Sequence, residues 1–318
     1  MWQNIKKFQD AKENVTKFVF EKDDIAIEAV LYKYPTYQER TVLCISVMCG
    51  CPIGCRFCGT GHFYARNLST EEIIGQARYI LENEIDGVKP NEINRLQIMF
   101  MSMGEGMLNR RGLESALWLL NGLYPNAALL VSTSGPKVDY GWMREVSSKI
   151  PTVGLQFSIH ESTDEAREKL IPFKAKLSLA EIAEEGRKWY EATGRKPFFN
   201  YCAHEGNSTD ADAMRLLSLF NPSIWEATVS VICERDQEFG QANEYQRSLA
   251  SGFANLLVEN GFNVRVFDPA GQDTIGGGCG MLWFTQQWAQ AHPELIRPSC
   301  GNGLQKVHAP MLKTVKSV

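Results

Sequence analysis

The chain has 318 residues, 44% of them hydrophobic and 22% charged, with a net charge of −4. That composition excludes disordered and fibrous classes, and the acidic balance offers no global field to draw nucleic acid. The charged opening MWQNIKKFQDAKENVTKF lacks the apolar core of a signal peptide and no eighteen apolar residues run together, so a cytoplasmic protein without a membrane partner is expected.

In chain order, FVFEKDDIAIEAVLYKYP reads as a β-hairpin ahead of residue 41. Short apolar and β-branched runs then predict strands over 41–48, 96–101, 127–132, 152–158, 197–203 and 227–233. Between them, periodicity predicts helices over 70–81, 112–120, 177–190, 211–220 and 244–259, the first opened by Ser69 and Glu72 as a capping box. Six βα units in a row imply a parallel sheet that curls into a partial (βα)6 barrel with function at the strands' C-terminal ends; a doubly wound open sheet is the alternative. The expected organisation is an N-terminal β extension over 1–40, a barrel domain over 41–285 and a C-terminal tail over 286–318. Alternation along the first barrel strand sends Leu43, Ile45 and Val47 towards the helices, and Cys44, Ser46 and Met48 into the lumen.

Nine cysteines in a reducing compartment are not expected to form a disulfide framework, and five of them fall between Cys44 and Cys58. Cys51, Cys55 and Cys58 form CxxxCxxC, with Gly50, Pro52 and Gly54 keeping the loop compact. Three thiolates suit a [4Fe–4S] cluster with one iron left open, and an open iron can bind S-adenosylmethionine (SAM) and pass an electron to its sulfonium. A zinc site or simple core thiols are the alternative. Cys49 reads as a bystander, and Cys202, Cys233 and Cys300 as core or surface thiols.

The run CGCPIGCRFCGTGHFYARNLSTEEIIGQ resembles the cluster loop and following helix of the RlmN/Cfr family of radical SAM adenosine methyltransferases. MSMGEGMLN, STSG, SIHESTDEAREKLIP and GQDTIGGGCGML resemble later blocks of that family in the same order, so the likeness covers about residues 40–285. The resemblance implies SAM contacts at Gly104, Glu105, Ser132 and Ser158. It also implies that Cys279 carries a methyl group and that Cys44 resolves the product through a disulfide intermediate. The implied reaction is methylation of an sp2 amidine carbon of adenine in tRNA or rRNA, with a flavodoxin- or ferredoxin-like reductant as partner.

Three departures bear on the acceptor. Only some forty residues precede the first barrel strand, where RNA-acting members usually carry an accessory domain. VSVICERDQEFG lacks the Asn- and Pro-rich pattern expected after the sixth strand, and Gly106 follows Glu105 in place of proline. A nucleotide-like small molecule or a peptide is therefore the alternative acceptor, and an electron-transfer protein the non-catalytic one. Lys169, Lys174, Lys176, Arg187, Lys188 and Arg195 form a local basic stretch that would bind phosphate only if they shared a face.

Overall fold

The computed structural model describes residues 2–231, 244–269, 275 and 282–299. Three antiparallel strands come first: β1 (Asn4–Gln9), β2 (Val15–Lys22) and β3 (Ile25–Lys33), the last two being the arms of the expected hairpin. Next come β4 (Thr41–Ile45), β5 (Met48–Gly50), β6 (Phe63–Asn67), α1 (Thr70–Asn83), β7 (Leu96–Phe100), α2 (Arg110–Leu123), β8 (Ala128–Thr133) and α3 (Gly141–Lys149). The chain continues through β9 (Val153–Ser158), α4 (Asp164–Leu170), α5 (Leu179–Thr193), β10 (Phe198–Cys202), α6 (Asp210–Leu219), β11 (Glu226–Ser230), α7 (Glu244–Glu259) and β12 (Val264–Phe267). Last are α8 (Trp283–Ala291) and β13 (Arg297–Pro298). No helix among the described residues is long and apolar enough to cross a membrane.

One sheet runs β1-β2-β3-β4-β7-β8-β9-β10-β11-β12. From β4 to β12 every pairing is parallel and every neighbour follows in chain order. A doubly wound sheet needs a point where strand order reverses; this order never does. The fold is the α/β partial barrel, with a seventh parallel strand, β12, after the sixth βα unit. The N-terminal meander extends the sheet directly, because Val30 pairs with Cys44 and Tyr32 with Val42.

Packing separates the two faces of the sheet. Leu43, Ile45 and Val47 are fully buried in the large core that also takes Ile73, Ala77 and Ile80 of α1. Cys44 instead packs against a smaller cluster of Val15, Val30, Tyr32, Val42, Met99 and Ile275 on the lumen side. The expected strand over 41–48 ends early, at Ile45. Gln76 of α1 explains the break: its Oε1 accepts from Ser46 N (2.9 Å) and its Nε2 donates to Ser46 O (2.9 Å), replacing the ladder partners. The chain then leaves the sheet, and Met48 pairs with Asn67 in a second sheet of β5, β6 and β13. Met48 therefore lies in the main core, a correction to the lumen position that alternation implies.

The Ser69–Glu72 capping box forms as expected, with Glu72 N donating to Ser69 Oγ (3.2 Å) and Ser69 N to Glu72 Oε2 (2.9 Å). The same carboxylate meets Arg66 of β6 at 2.8 Å and Lys22 of β2 at 3.1 Å, joining both strands to α1. Burial pushes this carboxyl up, but the Arg66, Ser69 and Lys22 hydrogen bonds outweigh it and hold Glu72 to about 2. A depressed carboxylate stabilises the fold above its unfolded value, and that contribution is lost as pH falls from about 4.5 towards 2. Glu72→Gln should cost about 1–2 kcal/mol at neutral pH, from one cap and its charged hydrogen bonds. Thermal melts at pH 7 and pH 3 check this: the gap between parent and variant should narrow at the lower pH.

Candidate active site

The strand ends converge on the loop between β5 and β6, which carries Cys51, Cys55 and Cys58. Gly50 (φ 76°) and Gly54 (φ 79°) adopt left-handed conformations that turn this loop tightly. Cys51 N donates to Phe63 O (2.8 Å), Cys58 N to Cys55 O (3.2 Å) and Gly61 N to Cys58 O (2.9 Å). A side chain at Gly61 would collide with the Cys55 carbonyl, so the loop's turn admits only glycine there. The three cysteines are half-buried residues, and Cys58 Sγ lies 3.3 Å from Thr60 Oγ1.

Among the described residues, no group of three or more His, Cys, Asp or Glu side chains is arranged to hold one metal ion. The donor set of the loop is all sulfur, which suits iron–sulfur clusters. Burial pushes the Cys51 thiol well up, and the nearby Cys55 thiol, followed by Cys58 and Glu105, adds to that push. A thiol so placed ionises readily only beside bound positive charge. The fit to a cluster lies in the donor set itself, three sulfurs on one tight loop. Cys49, by contrast, is fully buried in the main core and donates to Ala26 O (3.2 Å), and burial pushes it up to about 12. Cys202 is a buried thiol at the end of β10; Cys233, Cys279 and Cys300 lie outside the described residues.

Gly104 follows β7 at φ 95°, and a Cβ there would come within 2.5 Å of Met48 Cβ. The Gly104–Glu105 backbone is thereby pressed against β5, which enters the cysteine loop. Glu105 is buried, and its carboxylate takes four hydrogen bonds: from Thr133 Oγ1 (2.7 Å), Met107 N (3.0 Å), Ser134 N (2.7 Å) and Ser134 Oγ (2.7 Å). Burial raises its pKa, and those bonds pull the other way. Arg167, fully buried, donates to Ser134 O (2.5 Å) and Leu177 O (2.7 Å), locking the strap that holds Glu105. Motif spacing does not single out Thr133, Ser134 or Arg167 as support, although all three sit inside the blocks STSG and SIHESTDEAREKLIP.

Ser132 and Ser158 come together, Oγ to Oγ at 3.1 Å, with Gln156 Nε2 donating to Ser132 Oγ (3.1 Å). One strand further on, Ser230 Oγ donates to Asn200 Oδ1 (2.8 Å). These pairs form a polar band on neighbouring strand ends. His160, just past β9, has a positive φ of 60° and sets its ring edge-on to Phe57 of the cysteine loop at 4.9 Å. Burial, with Arg167 nearby, holds this imidazole down at about 3, so it is neutral at physiological pH.

The local basic stretch is largely spent on neighbours. Lys174 and Lys176 pair with Glu168, Arg187 with Glu184 and Glu191, and Lys188 with Glu185. Arg195 donates to the carbonyls of Ser147, Pro151 and Val153. These side chains do not form one free cationic face.

Known proteins resemble the chain over most of its length. It is 31% identical over 294 residues to a probable dual-specificity RNA methyltransferase RlmN of Petrotoga mobilis, covering 87% of this chain and 77% of that protein. A protein of the same description from Thermus thermophilus is 31% identical over 255 residues, 78% of this chain and 69% of its own. Among solved structures, a radical SAM methyltransferase from Sphaerobacter thermophilus matches with a TM-score of 0.73 at 25% identity, covering 89% of this chain and 80% of that one. Streptococcus suis SuiB bound to S-adenosylmethionine matches at 0.51 and 13% identity, a likeness of fold alone. No family model matches the chain.

Proposed function

The chain belongs to the RlmN family of radical SAM methyltransferases, and from that footing we propose that it methylates an sp2 amidine carbon of adenine in RNA through a methyl-cysteine at Cys279. One observation carries this reading. Cys44 packs in the same lumen cluster as Ile275, and Cys279 follows Ile275 by four residues. Four residues of chain can span up to about 14 Å, so the connection from Ile275 is long enough for a Cys279 that meets Cys44. Two thiols that can meet are what thiolate attack followed by disulfide release requires.

Cys51, Cys55 and Cys58 would hold a [4Fe–4S] cluster, which when bound supplies the electron for reductive cleavage of SAM. Gly104 and Glu105 border that loop, and we assign SAM binding to them together with Ser132 and Ser158. Because the Glu105 carboxylate is already bonded to Thr133, Ser134 and Met107, its position is fixed before any ligand arrives. Cys279 then accepts a methyl group at sulfur. The Cys44 thiolate then attacks the Cys279 sulfur, forming the disulfide and breaking that sulfur's bond to the carbon now joined to the base, which takes up a proton as the methylated base leaves. The reductant is a flavodoxin- or ferredoxin-like protein, and the RNA is tRNA or rRNA.

The test uses reconstituted protein, SAM with a deuterated methyl group, and total cellular RNA. Mass spectrometry of the digested RNA should find labelled methyladenosine. Active SAM cleavage without any labelled nucleoside would overturn the RNA assignment and favour a small-molecule or peptide acceptor.

A further inference from the structure

Lys17 and Glu28 face each other across the β2–β3 hairpin, Nζ to Oε2 at 2.7 Å, with both side chains wholly buried. Desolvation offsets much of what such a pair gains by attraction, so a buried pair is weak evidence of stabilisation and better examined for what it positions. Here Glu28 is the meeting point of three segments. Its carbonyl accepts from Ser46 Oγ (2.6 Å), on the path from β4 to the cysteine loop, and from Ser102 Oγ (2.7 Å), on the path from β7 to Gly104. Its N–H donates to Met103 Sδ (3.3 Å).

The carboxylate reaches the third segment. Glu28 Oε1 accepts from both Thr285 N (3.0 Å) and Thr285 Oγ1 (3.0 Å), in the first turn of α8. Negative charge at that end of a helix is favoured by the exposed amides and the helix dipole. Lys17 Nζ lies 5.6 Å from the Trp283 ring and 5.9 Å from the Phe284 ring, and Phe284 stacks on Phe8 of β1 at 4.0 Å. The chain enters α8 through Leu282 at φ 29°, a conformation a leucine holds only when its surroundings impose it. Thr285 follows Cys279 by six residues, as Ile275 precedes it by four.

We propose that Glu28, held by Lys17, is a positioning residue for methyl transfer: it fastens the start of α8 to the loops that carry the cluster cysteines and Gly104–Glu105. This rests on the methyl-cysteine role given to Cys279. The N-terminal meander thereby fixes the start of α8, six residues after Cys279 in sequence.

Two full-chain variants test it: Lys17→Met with Glu28→Gln, which avoids leaving Lys17 buried and unpaired, and Thr285→Val, which leaves the ion pair intact. Hydrogen exchange on the unreconstituted proteins should speed up tenfold or more across amides 285–291 in the double variant while α1 is unchanged. After reconstitution, iron content and 5′-deoxyadenosine formation should stay within twofold of the parent. Methylated product per 5′-deoxyadenosine should fall tenfold or more in the double variant and severalfold in Thr285→Val. Unchanged α8 exchange and an unchanged product ratio in either folded variant would overturn the proposal. Should the parent form no S-methyl-Cys279, the methyl-cysteine reading fails by itself, and α8 exchange still decides whether Glu28 is the anchor.

Discussion

Cys44→Ala should convert the enzyme from a catalyst into a trap, leaving RNA covalently attached to Cys279 and lowering turnover by roughly a thousandfold or more, as expected for an obligatory covalent step. The methyl carbon, once bonded to both Cys279 sulfur and the base, is released only if another thiolate attacks that sulfur. Alanine cannot attack. Because Cys44 sits against the lumen cluster on β4, its loss removes one sulfur from a partly exposed position and should leave the sheet intact. A denaturing gel should show a slower band that collapses on ribonuclease treatment, and peptide mass spectrometry should find the adduct on Cys279. Cys279→Ala should give neither adduct nor S-methyl group. Normal turnover by a folded Cys44→Ala variant would remove the resolving role.

Local signals in the chain were legible where local physics decided the structure. The Ser69–Glu72 box and the span of α7, Glu244–Glu259, follow from capping and periodicity. The sequential parallel order follows from alternating βα units. The tail of the first barrel strand was not legible, because a glutamine thirty residues away replaces its ladder. The support of Glu105 was hidden for the same reason: Thr133 and Ser134 reach it across 28 and 29 residues, and Arg167 reaches Ser134 across 33. Periodicity carries no information at such separations. The Glu28–Thr285 contact spans 257 residues, and neither residue type alone marks it. Motif spacing brought out the cysteines because the loop that holds them is local; their setting is tertiary.

Alanine at any one of Cys51, Cys55 or Cys58 should cut bound iron from about four per chain to below one and abolish 5′-deoxyadenosine formation, because the open-site chemistry needs all three thiolates. The loop's geometry gives the reason. Its turns are set by Gly50, Gly54 and Gly61 and closed by the hydrogen bonds at Cys51, Cys58 and Gly61, which keep the three cysteines on one compact segment. Cys49 is only two residues from Cys51, but it is buried in the main core and donates to Ala26 O. Cys49→Ala should therefore retain iron and SAM cleavage, while Cys51→Ala loses both; iron assay and product chromatography on the two variants make the comparison. Cys51 sits on the same tight loop as Cys55 and Cys58, whereas Cys49 is buried in the main core beside Ala26 O, and the two variants compare those settings. Equal iron loss in both variants would mean that the cradle includes Cys49 and that the three-thiol assignment is wrong.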